Sequence, residues 1–478
     1  MNGVKSIAIN TASLIISEVI TKIVQFLIFV FIARSLGSIV FGKFNFAYSF
    51  SMIAVLLMDL GINYMLVRNM AKNKKLAGNY IMNSFAIKIL LSAISFTAIY
   101  FIFSVSGYPE DTKVIVYILV LFAFLRSFTE LVFSVFKAYE AMHYEAFLKI
   151  LRMLATLILG LAALKIRKDI VLLAIIFLLV EGAVFIISLV IALSKFLKLK
   201  FSLSFDFSRE ILKEAFPFSL SFVFASVYFY IGSVMLSAMK GDSAVGIYSA
   251  AYNLTLAILF IPGMYTFAIY PVISKNFGKY RDRVVLIYEK SFKYMYIIGL
   301  PISIGFFMLA EKIILFFYGS EFAESVLVLK LVSWFVFIKF ISFITGIILS
   351  VQIQRLRAFA QGVTAVLNLA LNFLLIPKYS YIGAAVATLI SEAVLFALTL
   401  MFVSKYFHVF DILKLLHKPL IASAIMAVFI ITLNVNLFAV MAVGAIVYFV
   451  ALFLLKTFDE RDYSLMKSLV KIDNGQEY

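Results

Sequence analysis

Residues 170–194 read IVLLAIIFLLVEGAVFIISLVIALS, and stretches of this kind decide the fold of the chain. Apart from Glu181, one glycine and two serines, all of its residues are apolar. A helix of about 20 apolar residues crosses a hydrocarbon core about 30 Å thick and satisfies its own backbone hydrogen bonds there. The stretch is therefore predicted to be a transmembrane helix.

Comparable apolar runs follow one another along nearly the whole sequence, separated by short polar loops. We count about fourteen of them, at 7–33, 45–67, 80–105, 114–136, 147–164, 170–194, 215–239, 244–273, 291–309, 326–349, 358–376, 381–403, 420–433 and 437–455. The run at 420–433 is the shortest, and two asparagines interrupt the chain just after it. The predicted fold is an all-α polytopic membrane protein with about fourteen transmembrane helices.

The composition agrees with this class and excludes several kinds of chemistry. Hydrophobic residues make up 64% of the 478 residues, the mean hydropathy is +1.07, and no polar stretch is long enough for a sizeable soluble domain. The chain has no cysteine, which excludes disulfides, thiolate metal sites and cysteine catalysis. Only three histidines and no glycine-rich phosphate-binding loop occur, so we predict neither a metal site nor a cofactor and expect no direct use of ATP.

Basic residues alternate between the predicted loops and so indicate the orientation of the chain. The net charge of +17 could suggest nucleic acid, but a cytoplasmic N-terminus places twenty-seven Lys and Arg residues on the cytoplasmic side and nine on the other. This bias follows the positive-inside rule and, with an even number of helices, places both termini in the cytoplasm. We therefore predict a cell-membrane protein whose basic loops contact anionic lipids, with no nucleic acid as partner.

The chain contains an internal repeat. Residues 41–48 read FGKFNFAY and residues 245–252 read VGIYSAAY, which share an apolar residue, a glycine, an aromatic residue and Ala-Tyr at the same spacing. A weaker match pairs Ala-Phe at 146–147 with Ala-Phe at 358–359. Six helices separate the copies, and since six is even, both copies enter the membrane in the same sense. We predict two six-helix lobes related by a pseudo-two-fold axis along the membrane normal, plus two extra C-terminal helices.

These assignments divide the chain into five parts. They are an N-lobe at 1–196, a cytoplasmic inter-lobe linker at 197–213, a C-lobe at 214–405, helices 13 and 14 at 406–456, and a cytoplasmic tail at 457–478. The linker is expected to carry a short amphipathic helix on the cytoplasmic surface.

Several short motifs resemble those of the Wzx-type polysaccharide flippases. They are Arg34-Ser35-Leu36-Gly37 followed by Gly42, Asp59-Leu60-Gly61 with Arg68, residues 140–144 (EAMHY), the stretch around Gly246 and Tyr248, residues 318–322 (YGSEF) and residues 382–385 (IGAA). The resemblance runs from about residue 1 to 405 and extends to the wider MOP superfamily, with its MATE-type exporters and the lipid II flippase MurJ. It implies two lobes, alternating access and movement of a lipid-linked oligosaccharide, on a polyprenyl phosphate or diphosphate, to the outer leaflet. One departure is that Tyr230 and Gly232 replace an Arg and an Asp that many family members carry.

Charged residues inside the predicted helices are the candidates for function, because each costs about 2.5–3.5 kcal/mol to insert. The cations are Lys22, Lys88, Arg126, Arg152, Lys330 and Lys339, and the anions are Glu18, Asp59, Glu130, Glu181 and Glu392. Glu18 and Lys22 are four residues apart on one helix face, as are Arg126 and Glu130. Each pair could simply neutralise itself, and Arg152 could extend to the membrane surface.

The phosphate of a lipid-linked sugar must cross the hydrocarbon, and cations in a cleft can replace the water that it loses. We therefore expect a head-group site formed by Lys22, Lys88, Arg126, Lys339 and Arg152. Lys88, Lys339 and Glu392 have no charge partner in their own helices, so these in particular are expected to face the cleft. The membrane-embedded carboxylates are candidate charge partners or coupling sites for protons or Na⁺, and side-chain amides such as that of Gln25 are candidates for binding sugars.

Two other functions remain open on the sequence alone. A MATE-type antiporter for drugs or metabolites would favour an acidic cleft, whereas the membrane-embedded charges here are six cations and five anions. A polytopic enzyme of glycan assembly would need a catalytic cluster at a membrane face, and no Asp-x-Asp or histidine-rich cluster occurs there. We expect a transporter rather than an enzyme, with enzymes of glycan assembly as candidate partners.

Overall fold

A computed structural model describes residues 2–197, 203–409, 412–433, 435–459 and 462. The regular structure of these residues consists of sixteen α-helices and two short 3₁₀ turns, with no strand among them. The α-helices are α1 (Asn2–Ala54), α2 (Leu56–Asp59), α3 (Ile62–Lys72), α4 (Ala77–Ser104), α5 (Glu110–Ala138), α6 (Met142–Ile166), α7 (Ile170–Lys195), α8 (Phe205–Lys240), α9 (Asp242–Ile258), α10 (Phe260–Asn276), α11 (Arg281–Met308), α12 (Ala310–Phe317), α13 (Ser325–Gln352), α14 (Gln354–Tyr406), α15 (Ile412–Thr432) and α16 (Leu437–Leu454). The all-α prediction is confirmed.

Two of the apolar stretches are too long to be single crossings. Eleven stretches of the described chain are long and apolar enough to span a membrane, among them Ser13–Asp59 with 47 residues and Gln354–Tyr406 with 53. At about 1.5 Å per residue, each is more than twice as long as the hydrocarbon core is thick. Gly37 (φ 78°) and Ser380 (φ 50°) interrupt their helical dihedrals, so each stretch supplies two crossings. Together with the shorter apolar helix Leu416–Thr432, the described helices are consistent with the predicted fourteen crossings.

The two lobes meet where α1 crosses α9, at the glycines of the repeated motif. A Cβ atom on Gly42 would lie 1.8 Å from the carbonyl oxygen of Asp242, and one on Gly246 would lie 2.0 Å from that of Ser38. The contact is reciprocal, because both pairs of equivalent positions are 204 residues apart. Glycine is therefore required on both helices for the lobes to approach this closely.

Each of the two crossing segments begins at a glycine with a positive φ. Gly37 has φ 78° and Gly241 has φ 84°, with ψ close to 180° in both. L side chains rarely adopt this conformation, so glycine is favoured at both positions. These glycines are also 204 residues apart, which extends the repeat four residues upstream of the motif at 41–48 and 245–252.

Helix α8 begins inside the predicted linker. It begins at Phe205, after Ser204 accepts the Phe207 amide proton, and continues without a break to Lys240. Ile211 and Ala215 are almost fully buried, and their apolar side chains pack into a hydrophobic core formed by N-lobe helices. The helical part of the predicted linker is thus the first part of α8, and residues 198–202 of the linker lie outside the described residues.

The last two helices pack on the C-lobe. The Tyr448 hydroxyl of α16 donates to the carbonyl of Ile297 in α11 at 2.7 Å. Beyond α16, the buried Asp462 carboxylate accepts hydrogen bonds from Lys290 at 2.6 Å and from Lys293 at 2.5 Å. These contacts hold the start of the predicted tail against one end of α11, while residues 463–478 lie outside the described residues.

Candidate functional site

A cavity of about 580 Å³ lies between the two lobes. Its N-lobe wall comes from α1, α5 and α6, and its C-lobe wall comes from α8, α9, α10 and α13. The N-lobe wall includes Glu18, Lys22, Gln25, Asn45, Tyr48, Lys137, Glu145 and Lys149, and the C-lobe wall includes Phe229, Tyr230, Ser233, Ser249, Tyr252, Asn253 and Phe343. The cavity reaches the side of the membrane where α5 ends and α6 begins, so the α1–α9 crossing lies toward the opposite side.

Lys22 lies in this cavity as predicted, but not in the predicted pair. Its side chain is exposed and has no carboxylate oxygen within 4.0 Å in the described chain. Glu18, four residues away, instead accepts a hydrogen bond from Lys149 of α6 at 2.8 Å. The long α6 lysine reaches across from the neighbouring helix, which leaves the Lys22 ammonium free for a ligand.

A chain of alternating charges continues along the N-lobe wall. Lys149 lies 2.9 Å from Glu145, Glu145 lies 3.2 Å from Lys137, and Lys137 lies 3.8 Å from Glu130. Glu130 is therefore not part of the predicted i, i+4 ion pair with Arg126. Lys137 and Lys149 were counted among the twenty-seven basic residues on the cytoplasmic side and were not predicted to line a cavity, although the i, i+4 spacing of Glu145 and Lys149 indicates an ion pair on one helix face.

A side cavity of about 20 Å³ adjoins the main cavity and is lined by Arg126 and Arg152. The two cavities share Gln25, Phe29 and Tyr48. Arg126 is half-buried, and in the described chain no carboxylate oxygen lies within 4.0 Å of it. The volume suffices for roughly one water molecule, and Arg126 lines this side cavity but not the main one.

Arg152 is buried rather than extended to the surface. Only 4% of the residue is exposed, its Nη1 lies 3.4 Å from Glu181, and its Nε has no hydrogen-bond partner among the described residues. Glu181 also accepts the Thr129 hydroxyl at 2.7 Å. The guanidinium therefore retains an unused donor next to Arg126.

Lys88 does not line the cavity but is buried inside the N-lobe. Its ammonium lies 2.5 Å from Asp59 and 2.7 Å from the Ser127 hydroxyl, and the side chain is fully buried. Asp59 ends α2, where Leu60 and Gly61 both have positive φ and break the helix. Lys88, which has no charge partner in its own helix, is thus neutralised by Asp59 of a different helix.

Lys339 is likewise paired inside the C-lobe. Its ammonium lies 2.8 Å from Glu392, which also accepts the hydroxyls of Ser342 at 2.6 Å and Tyr228 at 2.9 Å. The rings of Tyr228 and Phe229 lie 5.2 and 5.1 Å from the ammonium, a distance suited to cation–π contact. The expectation that Lys339 and Glu392 face the cleft is corrected, because the two side chains form a buried ion pair inside the C-lobe.

Two of the family motifs, those of Arg34 and Glu321, lie near the lobe crossing. Glu321 accepts the Ser38 amide proton at 2.6 Å, directly after the Gly37 turn. Arg34 donates to the carbonyl of Phe316 at the end of α12. Both contacts join the N-lobe to the C-lobe. These two contacts link the lobes beside the α1–α9 crossing.

Tyr248 is buried in the C-lobe and does not reach the cavity. Its hydroxyl lies 3.2 Å from that of Thr388, and its ring stacks on Tyr252 with centroids 5.2 Å apart. It thereby supports the ring of Tyr252, which lines the cavity. In the part of the chain that the structure describes, no group of His, Asp and Glu side chains is placed to hold a metal ion.

Comparison with solved structures defines the class of protein. The fold is similar to that of the lipid II flippase MurJ in an inward closed conformation, with a TM-score of 0.76 at 16% identity over 91% of this chain and 97% of that one. It is also similar to an inward-facing multidrug resistance MATE family transporter, with a TM-score of 0.65 at 17% identity over 83% and 98% of the two chains. The chain is a multi-pass membrane protein with the two-lobed MATE and MurJ fold.

The sequence places it in a family within that class. The family model described as polysaccharide biosynthesis protein matches residues 7–277, and the MatE model matches residues 217–374. The chain belongs to the polysaccharide biosynthesis protein family, which confirms the resemblance seen in its motifs.

Two relatives align along most of the chain. A putative O-antigen transporter of Escherichia coli (strain K12) is 26% identical over 385 residues, covering 79% of this chain and 92% of the relative. A probable low-salt glycan biosynthesis flippase, Agl15 of Haloferax volcanii, is 26% identical over 395 residues, covering 81% of each chain.

Proposed function

We propose that this protein moves a lipid-linked oligosaccharide from the cytoplasmic to the outer leaflet of the cell membrane by alternating access. The observation that carries the proposal is the presence of two cations, Lys22 in the cavity between the two lobes and Arg126 in the small side cavity next to it, with no carboxylate oxygen within 4.0 Å of either in the described chain. A polyprenyl phosphate or diphosphate is an anion that reaches such a site from the membrane. The names of the O-antigen transporter and the glycan flippase support the same substrate class.

The head group would bind to the N-lobe wall. Phosphate oxygens lose water in the cavity and regain hydrogen bonds from the Lys22 ammonium and the Arg126 guanidinium, the latter with two parallel donors. Arg152 supplies a further buried donor beside Arg126. The polyprenyl tail can remain in the bilayer while the lobes move, so only the polar part of the substrate needs the cavity.

Orientation follows from the charge of the loops. With both termini in the cytoplasm, the α1–α9 crossing closes the outer side and the cavity opens inward, ready for a substrate made in the cytoplasm. A reporter fused at Tyr478 should be active only in its cytoplasmic form, and external activity would refute this orientation. Glu18 and Glu130, which are partly exposed near the cavity, are candidates for coupling to protons or Na⁺, and glycan flux with and without each imposed gradient tests that role.

The decisive experiment compares Arg126→Ala with the double variant Arg126→Ala/Glu130→Ala, measuring membrane abundance and glycan export separately. Because Glu130 lies beside Lys137 and not Arg126, we expect normal abundance and at least tenfold lower export in both. Lys330→Ala is the matched control, since this membrane-embedded lysine lies over the Phe307 ring, away from the cavity. Export restored in the double variant would show that Arg126 does not bind the substrate. Efflux of an organic cation without glycan export would favour a MATE-type antiporter.

A further inference from the structure

The two walls of the cavity differ in their chemistry. Among the described residues, all charged side chains that line the main cavity belong to the N-lobe, whereas every lining residue of the C-lobe is uncharged. Tyr230, at a position where many family members carry an Arg, belongs to this uncharged wall. The asymmetry means that an anion has favourable partners on one lobe only.

The C-lobe wall instead presents hydroxyl groups without protein partners. The hydroxyls of Tyr230, Ser233, Ser249 and Tyr252 line the cavity, and in the described chain none of them forms a hydrogen bond. The Asn253 amide nitrogen donates to Asn45 at 3.1 Å, so its oxygen is left as an acceptor. A ligand that fills the cavity removes water from these groups, and each group then costs free energy unless the ligand hydrogen-bonds it.

Apolar ring surface lies among these polar groups. Phe229 and the half-buried Tyr230 come from α8, and Phe343 of α13 lies beside them. A sugar ring combines hydroxyls around its edge with apolar C–H faces, so it can use both kinds of surface at once. A phosphate can use only the polar groups, and a lipid tail can use only the apolar rings.

We infer that the C-lobe wall binds the sugars next to the carrier phosphate and determines which glycan is accepted, while the N-lobe wall binds the phosphate whatever the glycan. This inference rests on the proposed function and assigns its substrate contacts to separate lobes. The cavity has the volume of a site for a drug-sized ligand, which suits the head group and the first sugars rather than a long polymer. A bound substrate then contacts both lobes, each through a different part of its structure.

The test uses the full chain in lipid nanodiscs and two probes, undecaprenyl diphosphate and undecaprenyl diphosphate carrying a short N-acetylhexosamine oligosaccharide. For the wild type we expect tighter binding of the sugar-bearing probe, by at least tenfold. Tyr230→Phe and Ser249→Ala should each reduce this preference by about three- to tenfold, the worth of one hydrogen bond, with unchanged affinity for the bare diphosphate. Lys22→Gln should lower the affinity for both probes equally. Tyr117→Phe, on α5 and away from the cavity, is the matched control.

The outcomes separate this inference from the proposal beneath it. If the C-lobe variants lower the affinity for both probes equally, or if Lys22→Gln removes only the preference for the sugar-bearing probe, the assignment of sugar and phosphate to separate lobes is refuted. The proposed flippase function stands in either case. If the wild type binds neither probe, the proposed function itself fails. Thermal melting of each variant confirms that the comparison is made between folded proteins.

Discussion

Replacing Gly246 by alanine tests whether the lobes can close at the α1–α9 crossing only because two glycines meet there. A Cβ atom at this position would lie 2.0 Å from the Ser38 carbonyl oxygen, whereas ordinary contacts of a Cβ atom begin at 3.4 Å. The helices would have to separate by about 1.4 Å, and because the obstacle is backbone, no side-chain rotation relieves it. Overpacking of this kind costs about 1–3 kcal/mol, which shifts the equilibrium away from the closed crossing by about 5- to 150-fold.

The shift can be measured as a distance between two spin labels. The chain has no native cysteine, so Ile39→Cys and Lys240→Cys, both at exposed positions near the crossing, become the only labelled sites. We expect Gly246→Ala to lengthen the label distance and to lower glycan export at normal membrane abundance. Gly305→Ala is the matched control, because a Cβ atom there meets nothing within 4 Å. An unchanged distance and full export in Gly246→Ala would refute the reasoning.

Two further predictions concern ion pairs. Lys339→Met should lower the melting temperature in detergent, because Glu392 stays buried without its counter-charge at a cost of about 3–5 kcal/mol. Lys339→Met/Glu392→Gln should recover much of the loss, and no recovery would argue against a structural pair. Burial raises the pKa of Asp462, but hydrogen bonds from Lys290 and Lys293 outweigh it and lower the pKa below the usual value of about 3.9. The ionised Asp462 carboxylate therefore holds the start of the tail against α11 fully at neutral pH, and this stabilisation is lost only as the pH falls below about 4. Tryptic cleavage after Lys456 should be equally slow at pH 8 and pH 6 but faster in Asp462→Asn, and an unchanged rate in that variant would contradict the role.

Hydropathy and charge predicted the class, the helices and the repeat because these are local properties of the sequence. A membrane helix must be apolar over its whole length, so each span is visible in its own residues. The glycine motif was recognised from two eight-residue stretches, and the contact of Gly42 with Asp242 and Gly246 explains why it recurs. The packing of Ile211 and Ala215 was not visible in the same way, because their partners are residues far away in sequence.

The candidate site was harder to predict because its charges pair across helices. Lys88 lies 29 positions from Asp59, and Lys339 lies 53 positions from Glu392, so no local spacing reveals either pair. Local spacing also misled the analysis for Glu18, which is four residues from Lys22 but bonds to Lys149. Only a tertiary structure distinguishes a cation that is neutralised inside a lobe from one that remains available to a ligand.

Helix α8 has a consequence for how the protein is made. It is 36 residues long, about 54 Å at 1.5 Å per residue, and its first turns complete the interior of one lobe while its remainder belongs to the other. During synthesis, the groove that receives Ile211 and Ala215 stays uncovered until those residues leave the ribosome. An isolated first lobe that stops at 196 therefore lacks two of the side chains that fill its interior. We expect a fragment that ends at 196 to be less stable than one that extends to residue 215, because the interior of the first lobe is completed by residues of the first helix of the second.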